Sequence, residues 1–477
     1  MNTCDGRRSN TIENVGRFAE AGSRLVQRTP NKPERWARSI ISRTDFNFLR
    51  SIMMVAFSAV PVFAAETNLA VVATNELGLD LYRQAAKGDS NLCLSPYSIQ
   101  SALAMTFAGA DGETRTEMAK VLHYPAGDDA IHASLAALRK ALERTVARSN
   151  ELSRQSQARE FGPIDWVLNM LAGRRFSTDP IALELANRLF AQEGYDFRSS
   201  FSTLINDQYG APLELLDFSK NPDLAAKRIN DWVSERTKDR IRYLISPGAL
   251  DTQTRLVLVN AIHLKAPWEK EFMANATKPE PFHIQGGRPV DVPMMTLQDR
   301  LGYMEGDGFT AVSVPCKGGD LQFLVLVPGQ VDGLSAVESK ITAGTLADCT
   351  KLGSRSVILH LPKFKLEPPT LSLIPQLETL GMKLAFDQPA GSADFDRMAP
   401  RKADQYLFIS NVLHKTFVAI DEKGMEAAAA TAVSWGEAGA ARPQEPLEIR
   451  IDRPFLFAIQ HVPTGTCLFL GRVTDPR

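Results

Sequence analysis

Five runs in the second half of the chain are apolar at almost every position: Thr254–Leu264, Leu321–Val327, Ser356–Leu361, Phe417–Ile420 and Phe455–Ile459. A strand with one wet face alternates apolar and polar residues. An unbroken run therefore describes a strand covered on both faces, at the centre of a layered sheet. The N-terminal third reads differently. Apolar residues recur at helical spacing from Leu69 to Tyr82, Ser95-Pro96 restarts the chain for a second helix over Tyr97–Ala108, and helical segments follow at Glu113–Leu122 and Ile131–Glu143. Helices followed by many non-local strands, with no Pro/Gly/Ser-rich linker after residue 66, imply an α+β fold with large sheets in a single domain over 66–477.

Two segments stand outside that pattern. The first fifty residues are Arg-rich and lead into the apolar stretch Ile52–Ala65, which is too short to span a bilayer. Arg50 precedes it and Val62-Phe63-Ala64 supplies a small-x-small cleavage pattern, so residues 1–65 are expected to be an extension carrying a signal peptide with its apolar core at 52–64, and the protein to be secreted. Residues 144–182 interleave Arg144, Arg148, Arg154, Arg159, Arg174 and Arg175 with Ser, Gln and acidic residues, and are expected to form a surface insertion or an extended surface helix. Glu143, Glu151, Glu160 and Asp165 dilute the positive field, which favours a solvated surface over a polyanion site. A formal net charge of −1 gives no field that would imply nucleic acid.

No enzyme motif survives inspection. The sequence contains no G-x-S-x-G elbow, no H-E-x-x-H, no P-loop and no G-x-G-x-x-G after a strand. His123, His132, His263, His283, His360, His414 and His461 lie without a second His or Cys at the short spacing of a metal site, and the five cysteines form no C-x-x-C pair. Neither a cofactor nor a metal is expected.

The segment that demands a special explanation is Asp421–Val433, with Ser434–Pro446 after it, lying between two strong strands. Four consecutive alanines favour helix locally. Yet Met425, Ala427, Ala429, Thr431 and Val433 form an apolar row of period two, while Glu426 points the other way. Small side chains present little steric barrier and lose little entropy on burial. The segment is suited to be a loop in one state and a strand in another.

Read in order, the following motifs resemble the serpin family from about Leu69 to Pro476: Asn91–Ile99 with Ala102–Met105, Ala108–Thr114, Ala186–Phe190, Ile229-Asn230-x-Trp232-Val233, Leu258–Ile262 with Trp268 and Phe272, Leu361–Phe364, Asp452–Phe457 and Thr464–Val473. The resemblance implies three β-sheets with about nine helices and a metastable native state whose reactive-centre loop, at 422–446, stays out of the main sheet. It further implies inhibition by suicide: a target serine or cysteine peptidase attacks the loop and forms an acyl-enzyme, and the freed loop inserts as a new strand and distorts the enzyme. Gly424, Glu426, Ala427, Ala428, Ala429, Ala430 and Thr431 follow the inhibitory hinge pattern, and Met425 departs from the Thr or Ser usual there. Ser95, Ser98, Asn260 and His414 match the shutter beneath the sheet opening, Trp268 the breach where insertion begins, and Lys363 with Glu422 an ion pair at the top of the sheet.

Inhibitory relatives separate the hinge glutamate from the scissile residue by about seventeen residues, a strand long enough to carry the enzyme across the sheet. Counting from Glu422 reaches Ala438, hence the bond Ala438–Gly439, and a small residue there suits elastase- or subtilisin-like enzymes. Extra loop length leaves Ala440–Ala441 open, whereas Pro443 disfavours cleavage after Arg442. The expected protein is thus a monomeric, non-enzymatic inhibitor of serine-type endopeptidases, with no membrane span. Met425, bulky Trp435 and the 144–182 segment support the alternative of a non-inhibitory binding or carrier protein.

Overall fold

A computed structural model of the protein describes residues 60–125, 130–158, 179–403, 405–426 and 445–477, all within one body, Ser58–Arg477. Side chains are described from residue 68 in the first helix and to residue 155 in the fourth. The described residues form nine α-helices: α1 Val60–Ala85, α2 Pro96–Gly109, α3 Gly112–Val121, α4 Ala130–Ala158, α5 Ser199–Leu204, α6 Pro222–Arg236, α7 Leu334–Lys340, α8 Ala343–Asp348 and α9 Ile374–Leu380. Local rules fix the start of α2: Pro96 takes the first turn, where its missing N–H costs nothing, and the Ser95 side chain caps the helix by accepting from Ser98 N.

The main sheet contains seven strands: β1 Ala182–Gln192, β2 Glu214–Leu216, β3 Leu256–Pro267, β4 Phe364–Leu366, β5 Leu371–Ser372, β6 Ile409–Ile420 and β7 Gly424–Met425. Their order is β4-β6-β7-β3-β1-β2, with β5 against β6. A second, nine-stranded ladder holds the C-terminal strands Phe455–His461 and Thr466–Val473. Within it the long strand Val290–Glu305 pairs with Lys278–Phe282 at one end and Phe309–Pro315 at the other. Dividing that ladder at this strand gives, with the main sheet, the three-sheet α+β arrangement.

β3 explains the unbroken apolar runs. Leu256, Leu258, Ile262 and Leu264 enter the large core shared with α1 and α2. Their neighbours Val257, Val259 and Ala261 enter a second cluster with Ile229, Trp232 and Val233 of α6 and with Leu413 and Phe417 of β6. Both faces are dry, so no polar alternation is needed.

Of the two readings of the 144–182 segment, insertion or extended helix, residues 144–158 follow the helical one: they continue α4, and this part of the helix carries a buried face as well as a surface one. Leu135, Leu138 and Leu142 are followed on that face by Thr145, Ser149 and Ser153, all buried. Thr145 Oγ1 lies 3.0 Å from His461 Nε2, and Ser149 Oγ accepts from Ile181 N at 2.8 Å. Apolar periodicity fades because hydroxyls replace aliphatics while the helical spacing continues. Arg148 pairs with Asp320 at 3.1 Å and Arg154 with Glu151 at 3.7 Å, so acids outside and inside the segment both weaken its field. Residues 159–178, with Arg159, Arg174 and Arg175, lie outside the described residues.

Candidate functional site

The centre of the site is a row of polar groups across three neighbouring strands. β6 and β3 run parallel with His414 opposite Asn260, and β1 sets Asn187 opposite Asn260 from the other side. The His414 ring Nδ1 contacts Asn260 Oδ1, and its Nε2 accepts from Ser95 N at 3.0 Å. Because Nε2 is an acceptor, the proton sits on Nδ1 and is donated to Asn260. Ser95 Oγ donates to Leu468 O at 2.7 Å, and Ser98 Oγ donates to Asn187 Oδ1 at 2.7 Å. The capped start of α2 is thereby sewn directly to β6, to β1 and to the C-terminal strand, and through His414 to β3.

Ser95, Ser98, Asn260 and His414 are all buried. Burial pushes the His414 imidazole down to about 3, so it is neutral at pH 7. The hydrogen bonds here are uncharged and shielded from water, which makes an unmade one costly. β3 and β6 touch along Leu256–His263 and Ile409–Phe417, yet no tight turn joins them, because a parallel pair needs a long crossover. Their separation breaks ladder bonds and this polar row without breaking a hairpin.

Above His263 the two strands part, and the two-residue strand β7 fills the mouth. Met425 pairs with Ile420 on β6 and with Ala266 on β3, and Gly424 pairs with Pro267, all antiparallel. The approach is so close that a Cβ on Gly424 would lie 2.5 Å from Ala266 O and 2.7 Å from Pro267 Cα. Glycine is required here by contact. Met425 is buried in the large core, where a thioether leaves no polar atom unpaired.

Trp268 anchors the turn that delivers β7. Its N–H donates to Lys423 O at 3.0 Å and its indole Nε1 to Asp421 O at 2.9 Å, while Phe272 N donates to Glu422 O at 2.8 Å. Asp421 Oδ1 accepts from Lys423 N and Gly424 N, closing the turn. Lys363 Nζ donates to Glu422 Oε2 at 2.9 Å and Thr277 Oγ1 to Oε1 at 3.0 Å. Burial alone would raise the Glu422 carboxyl, but Lys363 and the hydrogen bonds outweigh it and hold it below its ordinary range. Glu426, the last described residue before the alanines, contacts Arg240 and His263.

The structure thus gathers Ser95, Ser98, Asn260 and His414 at the centre of the gap, and Trp268, Lys363, Glu422, Gly424, Met425 and Glu426 at its mouth. Ala427, Ala428, Ala429, Ala430, Thr431, Ala438 and Gly439 lie outside the described residues. Sequence reading missed Asn187, Arg240 and His263 as members of the site. His263 left a trace as a polar residue inside the apolar run Thr254–Leu264, and Asn187 as one within the Ala186–Phe190 motif; Arg240 becomes a neighbour of the gap only through the path after α6.

Among the described residues no group of three or more His, Cys, Asp and Glu could hold a metal ion, and no helix is long and apolar enough to cross a membrane. Cys93, Cys316, Cys349 and Cys467 are buried and free.

A family model described as Serpin (serine protease inhibitor) matches residues 72–476. Leukocyte elastase inhibitor of Bos taurus is 34% identical over 422 residues, covering 87% of this chain and 99% of its own. Serpin B4 of Homo sapiens is 35% identical over 410 residues, covering 85% and 98%. Among solved structures, uncleaved ovalbumin superposes with a TM-score of 0.68 at 27% identity, covering 85% of this chain and 99% of that one.

Proposed function

Because the chain belongs to the serpin family, we propose that it inhibits serine-type endopeptidases as a suicide substrate and is itself no hydrolase. The supporting observation is the mouth of the main sheet. Parallel neighbours β3 and β6 admit Gly424–Met425 between them, and the alanine-rich segment follows directly. Continuing the register in which Met425 faces Ile420 and Ala266 brings Thr431 opposite both His414 and Asn260. A threonine hydroxyl can donate and accept there, replacing the bond that the incoming strand separates. Ser95, Ser98, Asn260 and His414 act in this reading as the shutter, Trp268 as the breach, and Lys363–Glu422 as the tie at its rim.

In the reaction, the peptidase serine oxygen attacks the Ala438 carbonyl carbon, the bond to Gly439 nitrogen breaks, and that nitrogen leaves as an amine after taking a proton. Ala438 is left esterified to the enzyme. A cysteine peptidase would form the matching thioester. Inserting the strand from Met425 to Ala438 at about 3.3 Å per residue carries the ester about 40 Å along the sheet. The small residue at 438 fits an elastase- or subtilisin-like pocket, and elastase is the enzyme named in the leukocyte elastase inhibitor the chain is similar to. The inhibitor acts as an exported monomer, the apolar stretch 52–64 serving as its signal-peptide core.

Incubation with elastase and with subtilisin tests the reading. An SDS-stable complex should form, with a released peptide whose mass begins at Gly439; mass spectrometry of the exported chain before mixing should show loss of residues up to about 65. Only cleaved protein beside fully active enzyme would sink the inhibitory reading. If cleavage also left the melting temperature unchanged, the binding or carrier role would replace it.

A further inference from the structure

Glu426 does not simply extend β7. Its φ is +50°, the left-handed region that non-glycine residues seldom adopt, while its N–H donates to Ala419 O at 2.7 Å. The backbone turns at this residue, and the side chain lies over the face of the sheet that α6 covers. One carboxylate oxygen contacts Arg240 Nε and the other His263 Nε2. His263 belongs to β3, its ring 6.4 Å from that of Phe417 on β6; Arg240 belongs to the segment after α6, its guanidinium 5.8 Å from the same ring. The Glu426 side chain is 12% exposed and that of His263 5%.

The protonation states follow from these surroundings. Burial, and then the charge of Arg240, push His263 down to about 4, so at neutral pH it donates Nε2–H to the carboxylate. His263 Nδ1 has no hydrogen-bond partner among the described residues, so the bond to Glu426 is the imidazole's only hydrogen bond there. Burial raises the Glu426 carboxyl, opposed by Arg240, Lys265, Lys365 and Lys238.

We propose that Glu426, gripped by Arg240 and His263, is a latch that stops strand insertion after two residues and ties its release to the segment following α6. The next step of the β7 register sets Glu426 opposite Lys265. To take that place the residue must leave the left-handed region for an extended one, and its carboxylate must release both partners. Lys265 can receive the carboxylate afterwards. Breaking the two bonds at once therefore weighs on the passage between states more than on the end states. The significance for trapping rests on the inhibitory reading above; the latch itself rests on geometry alone.

The test compares the full-length protein with its Glu426→Gln, Arg240→Gln and double variants, with Arg242→Gln as control, since Arg242 faces Asp239 on the same segment and not the loop. Amide hydrogen exchange over residues 419–426 should be about tenfold faster in each single variant. Spontaneous conversion to the heat-resistant, inserted form should be about fivefold faster, and the double variant should match the singles because they break one unit. Arg240→Lys, which keeps the charge, should fall between and shows that the segment still folds. Wild-type rates in either single variant, effects that multiply in the double, or equal acceleration by Arg242→Gln would each overturn the latch. Wild-type protein that traps no peptidase while the variants show these rates would overturn the inhibitory reading and leave the latch standing.

Discussion

At the centre of the gap between β3 and β6, His414, Asn260, Ser95 and Ser98 meet with no exposed side chain and no net charge. At the mouth of the same gap Lys363 faces Glu422, and Arg240 faces Glu426, each pair made by a half-exposed cation. Uncharged groups sealed from water lose full hydrogen bonds when strands part, whereas the half-exposed Lys363 and Arg240 can turn to solvent and their carboxylate partners to neighbouring lysines. On the inhibitory reading proposed above, the centre would resist opening and the mouth would decide where and when opening starts. Under that reading the sheet needs both, because a weak centre would open unprompted and a rigid mouth would never admit the loop.

The largest expected contrast is in pH. The His414 imidazole titrates at about 3 when folded, against an ordinary value near 6.5, so below pH 6.5 the unfolded chain binds a proton that the folded chain refuses. Its contribution to stability is present above that pH and is lost as pH falls toward 3, at about 1.4 kcal/mol per pH unit, or about 4 kcal/mol between 6.5 and 3.5. Urea unfolding midpoints measured from pH 7 to 4 should fall accordingly, and more gently in His414→Gln; an equal slope in the variant would remove His414 from the account. His263 and His461, each pushed down to about 4 by burial first, steepen the same limb and remain in the variant.

A smaller effect separates the mouth by contact alone. Gly424→Ala drives a Cβ into Ala266 O, costing about 1–3 kcal/mol, and should expel β7 while leaving the centre intact. Exchange protection at Met425 should vanish while that of β3 near Asn260 persists; loss at both places would show that the two regions are not separable. The smallest effect is expected from Lys363→Ala. With Lys363 45% exposed, its ion pair contributes about 0.5 kcal/mol. The loss should shrink further at high salt, and a change of several kcal/mol would mean that the rim, too, belongs to the sealed network.

Local signals carried much of this picture. Ser95-Pro96 announced the start of α2 through capping, Met425 at the head of the period-two row pairs as a strand while the rest of that row lies outside the described residues, and the apolar run at Leu256–Leu264 announced a strand dry on both faces. The buried face of α4 was illegible because Thr145, Ser149 and Ser153 look like solvent-facing residues until His461 and the Ile181 amide are brought against them.

By itself the sequence determined the four helical segments between Leu69 and Glu143, which strands are central, and which loop has side chains small enough to enter a sheet, because backbone preference and burial pattern are written in neighbouring residues. Only the tertiary structure decided that Asn187 completes the row at His414, that the chain turns aside at Glu426, and that Arg240 and His263 meet its carboxylate there. Strand register and the path of a covering segment join residues far apart in the chain, and no local pattern encodes the side of a strand on which a distant charge will arrive.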